Sequence, residues 1–131
     1  MTPLAYHVHG FPLTELGHII HVNNVQVGWW DDAICHGGNI PDKYMIPTKI
    51  ALMHSELSEG LEGHRKSLAD DHLPQYPMEA VEYADAIIRI LDVCGYKGYD
   101  IGRIVLDKLE YNSTRADHKR EVRQAPGGKA V

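Results

Sequence analysis

Two pairs of acidic residues with the same spacing are the most informative feature of this chain. Glu56 and Glu59 form the first pair, and Glu82 and Asp85 form the second. Residues three apart share one face of a helix, so two antiparallel helices could bring all four carboxylates together. Converging negative charges repel one another unless some are protonated or a cation holds them, and hard divalent ions prefer oxygen ligands. The spacing therefore predicts a divalent-metal site.

A basic, amide-bearing face follows further along the chain. Asp100 is a favourable N-cap for the helix that would carry this face. The face begins apolar and becomes basic partway along, which predicts that one half packs in the core while the other lines a charged pocket. Its members are Ile101, Ile104, Val105, Lys108, Asn112 and Arg115.

Apolar spacing and stop signals predict the helices that would carry these groups. No stretch alternates as a half-buried strand does, so we expect an all-α fold, a bundle of four or five helices. We expect one domain over residues 1–131, with an irregular lead-in at 1–12 and a loosely ordered polar tail at 116–131. The first helix follows Thr14, the second begins near Pro47 or Thr48, the third runs from about Pro77 to Cys94 with Gly95 as its stop, and the fourth follows Asp100. The second helix has an apolar stripe of Ile50, Met53, Leu57, Leu61 and Leu68.

Composition narrows the class of protein. The net charge of −5 weighs against a general nucleic-acid binder but leaves a small anionic substrate open. Cys35 and Cys94 form no C-x-x-C motif, which disfavours a zinc site or a disulfide framework. The chain has no apolar run of membrane-spanning length, and its N-terminus does not read as a signal peptide. We expect a cytoplasmic protein with no nucleic-acid or membrane partner.

The acidic motifs and the basic segment together resemble a known family. Residues 49–59 (KIALMHSELSE), 82–92 (EYADAIIRILD) and the K-x-x-x-N-x-x-R segment at 108–115 are similar to the signature of the MazG-like all-α nucleoside triphosphate pyrophosphohydrolase superfamily. Gly28-Trp29-Trp30 and the late Gly-Gly-Lys resemble short, phage-type members. Where the family often has two adjacent glutamates at the start of its first motif, the first is Ser55 here.

The resemblance implies hydrolysis of a nucleoside triphosphate to the monophosphate and pyrophosphate. Two or more Mg²⁺ or Mn²⁺ ions would be held by the four acids and would activate a water molecule. By analogy with the family, Glu59 would orient that water. Asp92 would hold Lys108 or a water in the outer coordination sphere. The phosphates would be bound by Lys108, Asn112 and Arg115.

Base recognition and assembly are further expectations from the resemblance. Trp30 could stack on the base and Asn24 could read its edge or the sugar, although core packing is an equal reading of the tryptophan. Guanine nucleotides (dGTP or GTP) are the favoured substrate, with pyrimidine deoxynucleotides as an alternative. Family members are dimers or tetramers, so we expect a homodimer or homotetramer, in a bacterial cell or a phage-infected host.

Two other classes of protein compete with this reading. A di-iron carboxylate bundle needs two E-x-x-H motifs, and the chain has one, at Glu15 and His18, outside the two acidic helices. A helical interaction module, or a regulator that binds nucleotides without cleaving them, would keep Lys108 and Arg115 but would not need all four acids.

Overall fold

A computed structural model describes residues 11–115 and 119–128 of the chain. The fold is all-α, as predicted: 71% of the structure is helical, and the described residues contain no strand. The first ten residues of the predicted lead-in, and residues 116–118 and 129–131 of the predicted tail, lie outside the described part. The helices are α1 (Pro12–Gln26), α2 (Asp42–Lys66), α3 (Met78–Lys97), α4 (Ile101–Thr114) and α5 (Arg120–Gln124), with a 3₁₀ turn at Ile34–His36 between α1 and α2.

Helix α1 begins at Pro12, so Thr14 lies inside the helix and is not its N-cap. Proline is tolerated at the first helical position because its missing N–H would have no partner there. The Thr14 hydroxyl instead donates to Asp100 Oδ1 at 2.6 Å and accepts from the Gly102 N–H at 2.9 Å. This buried side chain thereby joins the start of α1 to the start of α4, where Asp100 is the N-cap as predicted.

Helix α2 begins at Asp42, five residues before the predicted start at Pro47. Proline is normally a helix breaker, because it lacks the N–H that would bond to the preceding turn. Here tertiary packing outweighs that cost: Met45 is buried with Trp30 and Ala33 in the core cluster. The first turn is closed by bonds from the Tyr44 and Met45 N–H groups to the Pro41 carbonyl.

Helix α3 continues past its predicted stop at Gly95 to Lys97, and Gly98 ends it with a φ of +71°. Gly95 has a different role. A Cβ atom built there would lie 2.5 Å from the carbonyl oxygen of Gly17, which is too close for any side chain. The two glycines therefore let the backbones of α1 and α3 approach each other closely, and this sets the position of α1 against α3.

The main helix contacts are α2 with α3, α1 with α3, and α1 with α4. Most of the apolar stripe of α2 is exposed in this chain: Leu57 is 49% exposed and Leu61 is 59% exposed. On α4, the prediction that the apolar half of the face packs in the core is wrong for Ile104, which is 48% exposed, because this helix packs mainly on α1.

Within the described ranges, no helix has both the length and the apolar character to cross a membrane.

Candidate metal centre

The structure brings three of the four predicted acids together. Glu56, Glu59 and Glu82 each offer a carboxylate oxygen, and these oxygens all lie within 4.8 Å of one another. Helices α2 and α3 run antiparallel, since Gly63 lies against Met78 at one end and Glu56 pairs with Arg89 further along. The three-residue spacing of the first acidic pair, on a helix facing Glu82, thus forms the cluster that the sequence predicted.

Glu82 is the most perturbed member of this acidic cluster. Its side chain is buried and its Oε2 atom has no hydrogen-bond partner within the described part of the chain. Burial raises the pKa of Glu82 to about 8, and the neighbouring carboxyl groups of Glu56, Glu59 and Asp85 raise it further. A buried, unpartnered carboxylate oxygen is costly, and a proton or a bound cation would remove that cost.

Asp85, the fourth predicted acid, lies at the edge of the cluster. It is half-buried one turn beyond Glu82 and lines the same cavity as Glu56, but it is not among the carboxylates within 4.8 Å of one another. Burial raises the pKa of Asp85, and the negative charge of Glu56 raises it further.

Arg89 is paired with the acidic cluster, a role that was not predicted from the sequence. Its Nε–H donates to Glu56 Oε1 at 2.7 Å, with both side chains largely buried. Burial alone would raise the pKa of Glu56, but the hydrogen bond and charge of Arg89, together with the neighbouring glutamates, outweigh burial and lower the net pKa. A signal was available: Arg89 follows Glu82 by seven residues and Asp85 by four, and both spacings keep side chains on one helix face.

A cavity of about 240 Å³ opens beside the cluster, between α1, α2 and α3. It combines acidic, basic, amide, aromatic and apolar groups, the mixture expected of a site for a small polar ligand. Its lining residues are Asn24, Trp29, Lys49, Glu56, Asp85, Ile88, Arg89 and Asp92.

Asp92 organises a second polar network on one wall of this cavity. The buried carboxylate accepts from His21 Nδ1 at 2.8 Å, from Asn24 Nδ2 at 3.0 Å and from Trp30 Nε1 at 3.0 Å. The Asn24 carbonyl oxygen accepts from Asn23 Nδ2 at 3.4 Å, so both ends of this amide are held by protein groups. The predicted contact of Asp92 with Lys108 is not formed. Instead, Asp92 positions the side chains of α1 and of the turn that follows it.

Of the two alternatives for Trp30, base stacking and core packing, the structure agrees with core packing. Trp30 is fully buried and stacks on Tyr96 with ring centres 4.4 Å apart, so it packs in the core and does not line the cavity. Trp29 is 56% exposed and does line the cavity. Lys49, also missed by the sequence reading, lies against both: its Nζ donates to the Trp29 carbonyl at 2.8 Å and is 4.5 Å from the Trp30 ring centre. Burial lowers the pKa of Lys49.

The predicted phosphate-binding face of α4 does not join this site within one chain. Lys108, Asn112 and Arg115 are not among the residues that line the cavity. Lys108 and Arg115 instead lie near the Tyr111 ring, at 4.7 and 5.7 Å from its centre. Helix α4 packs mainly on α1, whereas the acids lie on α2 and α3.

Comparison with known proteins gives no relative from which a function could be transferred. No family model, no curated protein and no solved structure matches this chain. The grounds for a function are therefore the carboxylate cluster, its burial, and the cations and aromatic group around the adjoining cavity.

Proposed function

We propose that this protein is a metal-dependent pyrophosphohydrolase of the MazG-like type, which cleaves a nucleoside or deoxynucleoside triphosphate to the monophosphate and pyrophosphate. The observation that carries the proposal is the buried Glu82 carboxylate, whose Oε2 lacks a hydrogen-bond partner among the described residues and faces two further glutamates. A site for a hard divalent ion needs several such oxygens at this mutual distance.

Mg²⁺ or Mn²⁺ fits the donor set of the cluster. Glu56, Glu59 and Glu82 would hold the ion, and Asp85 is near enough to the cavity to complete a site for a second one. A bound divalent ion supplies Lewis acidity toward the phosphates and lowers the pKa of a water molecule. Glu59 is the exposed member of the cluster, and it would orient the attacking water and accept its proton.

The other cavity residues would position the substrate. The cationic side chains of Arg89 and Lys49 would neutralise phosphate oxygens, and Trp29 offers an aromatic face for the base. Asn24 also lines the cavity, and its side-chain amide would hydrogen-bond a base edge or the sugar hydroxyl. The preference for guanine over pyrimidine bases belongs to this proposal and rests on the family resemblance alone.

We also propose a homodimer or homotetramer in the cytoplasm. Two exposed apolar surfaces support assembly: one on α2 with Leu57 and Leu61, and one on α4 with Leu106 and Leu109. Burying such surfaces against a second copy is favourable at roughly 25 cal/mol per Å² of apolar area. A second copy could also bring Lys108 toward the acids, as the resemblance implies. Light scattering on the purified chain tests this, and a monomer at working concentration would contradict it.

The test of the activity is a panel of nucleoside triphosphates incubated with Mg²⁺ or Mn²⁺, with monophosphate and pyrophosphate as the measured products. We expect turnover by the wild type and its loss in Glu59→Gln and Asp85→Asn, with unchanged helical circular dichroism. Glu110→Gln removes an exposed carboxylate on α4 and should leave turnover intact. Full turnover in both acidic variants would refute the metal site, and nucleotide binding without turnover in the wild type would favour the non-catalytic module.

A further inference from the structure

Arg89 lies between a carboxylate of the acidic cluster and an aromatic ring that lines the cavity. Its Nε–H is 2.7 Å from Glu56 Oε1, inside the acidic cluster, and its guanidinium lies 5.8 Å from the centre of the Trp29 ring across the cavity. The side chain is 25% exposed, so it is held between the buried cluster and the open cavity. An arginine paired through Nε has two further amino groups that can donate to oxygen.

In the absence of a divalent ion, Arg89 supplies the positive charge that the cluster needs. Its hydrogen bond to Glu56 places a positive charge beside that carboxylate and so limits the repulsion among the three glutamates. A divalent ion bound to the same carboxylates would take over that task. The guanidinium would then be repelled by the ion and would no longer be needed by Glu56.

We propose that Arg89 changes partner when the site is loaded: it holds Glu56 in the metal-free protein and donates to a phosphate oxygen of the substrate once a divalent ion holds Glu56. This inference rests on the proposed function. Both positions lie along the wall of one cavity, so the change needs a rotation of the side chain and no movement of α3. The planar guanidinium is suited to the second role because it can pair with two phosphate oxygens at once.

Removing the charge of Arg89 should therefore change the affinities for metal and for triphosphate in opposite directions. While no substrate is present, Arg89 competes with the ion for Glu56, so removing its charge should strengthen metal binding. When triphosphate is present, Arg89 attracts it, so the same change should weaken triphosphate binding. A residue that only supports the fold would weaken both or change neither.

The experiment measures two affinities by calorimetry at pH 7.5: Mn²⁺ alone, and the manganese complex of inorganic triphosphate added to Mn²⁺-saturated protein. In Arg89→Met we expect roughly tenfold tighter Mn²⁺ binding, from the lost repulsion between a single and a double charge. We expect roughly tenfold or greater weakening of triphosphate binding, from the lost charge-assisted hydrogen bonds. Arg89→Lys keeps the charge and should bind Mn²⁺ within about threefold of the wild type.

The matched control is Arg103→Met, which removes an arginine paired with Asp107 on α4, away from the cavity. It should leave both affinities unchanged, which excludes an effect of net charge. If Arg89→Met loses helical circular dichroism, Arg89→Gln makes the same charge change while keeping an amide donor for Glu56.

Parallel weakening of both affinities, or no change in either, would overturn the proposal. If the wild type hydrolyses no triphosphate but the two affinities still shift in opposite directions, the proposed reaction fails and the role of Arg89 stands. If the wild type is active and the opposite shifts are missing, only the role of Arg89 fails. A wild type that binds no Mn²⁺ would overturn both.

Discussion

Replacing Glu82 with glutamine should stabilise the metal-free protein and at the same time destroy its response to metal. The pKa of Glu82 rises from 4.5 to about 8 in the folded chain. At about 1.36 kcal/mol per pKa unit, this shift destabilises the ionised folded state by at most about 5 kcal/mol. Glutamine has nearly the same shape without the charge, and its amide can donate to the neighbouring glutamates. We therefore expect a gain of about 2–3 kcal/mol at pH 8, since neighbouring groups relieve part of the cost in the wild type.

The sign of the pH dependence follows from the raised pKa. A carboxyl group whose pKa is higher in the folded state contributes stability below its ordinary pKa and loses that contribution as the pH rises through the folded value. Wild-type stability from Glu82 should therefore decline between pH 4.5 and about 8. The advantage of Glu82→Gln should be largest at pH 8 and should shrink below about 1 kcal/mol at pH 5.

The assay is thermal unfolding followed by circular dichroism, in EDTA at pH 5 and pH 8 and at constant protein concentration. A gain of 2–3 kcal/mol corresponds to a rise in Tm of roughly 6–10 °C for a chain of this size. Added Mn²⁺ should reverse the order, because it stabilises only the form that binds it. Glu110→Gln, at an exposed position, should match the wild type throughout. If the Glu82→Gln variant is no more stable than the wild type at pH 8 in EDTA, the ionised Glu82 carboxylate does not destabilise the metal-free fold.

Three further substitutions test the surroundings of the site. Trp29→Ala should raise KM for a triphosphate about tenfold by removing a base-stacking surface, with Tm nearly unchanged because the residue is 56% exposed; an unchanged KM would exclude that role. Trp30→Phe should lower the free energy of unfolding by about 1–3 kcal/mol, since Asp92 loses a buried donor, as denaturant titration would measure. Gly95→Ala should cost at least about 2 kcal/mol, because its Cβ would lie 2.5 Å from the Gly17 carbonyl oxygen; a stable variant would contradict the close helix approach.

The sequence could predict those features of the fold that depend on local spacing. Glu56 and Glu59 lie on one face because helix geometry fixes the effect of a three-residue spacing, and Glu82 joins them because α2 and α3 pack antiparallel. Asp100 could be predicted as the cap of its helix because the bond that it accepts, from the Arg103 N–H, joins residues only three positions apart. Arg89 could have been found in the same way, from its four- and seven-residue spacing to the acids of its own helix.

Other features depend on contacts between distant residues, which spacing cannot reveal. The early start of α2 follows from the packing of Met45 against Trp30, fifteen positions away in the chain. Trp30 lies in the core because its indole N–H donates to Asp92 and its ring stacks on Tyr96, both more than sixty positions away in the chain. The direction of α4 follows from the bond between Thr14 and Asp100. Periodicity assigned the basic face of α4 to a pocket because it could not tell which helix α4 packs against.

The near-contact of Gly17 and Gly95 has a consequence for the size of ligand that the cavity can admit. Asn24 lies two turns further along α1 and Asp92 one turn back along α3, so the crossing point fixes how far apart these two walls stand. The width of the cavity is thus determined in part by two glycines that do not line it. A larger side chain at Gly17 or Gly95 would increase the distance between α1 and α3 at their crossing point. Such a change would alter which ligands the cavity admits without replacing any residue that lines it.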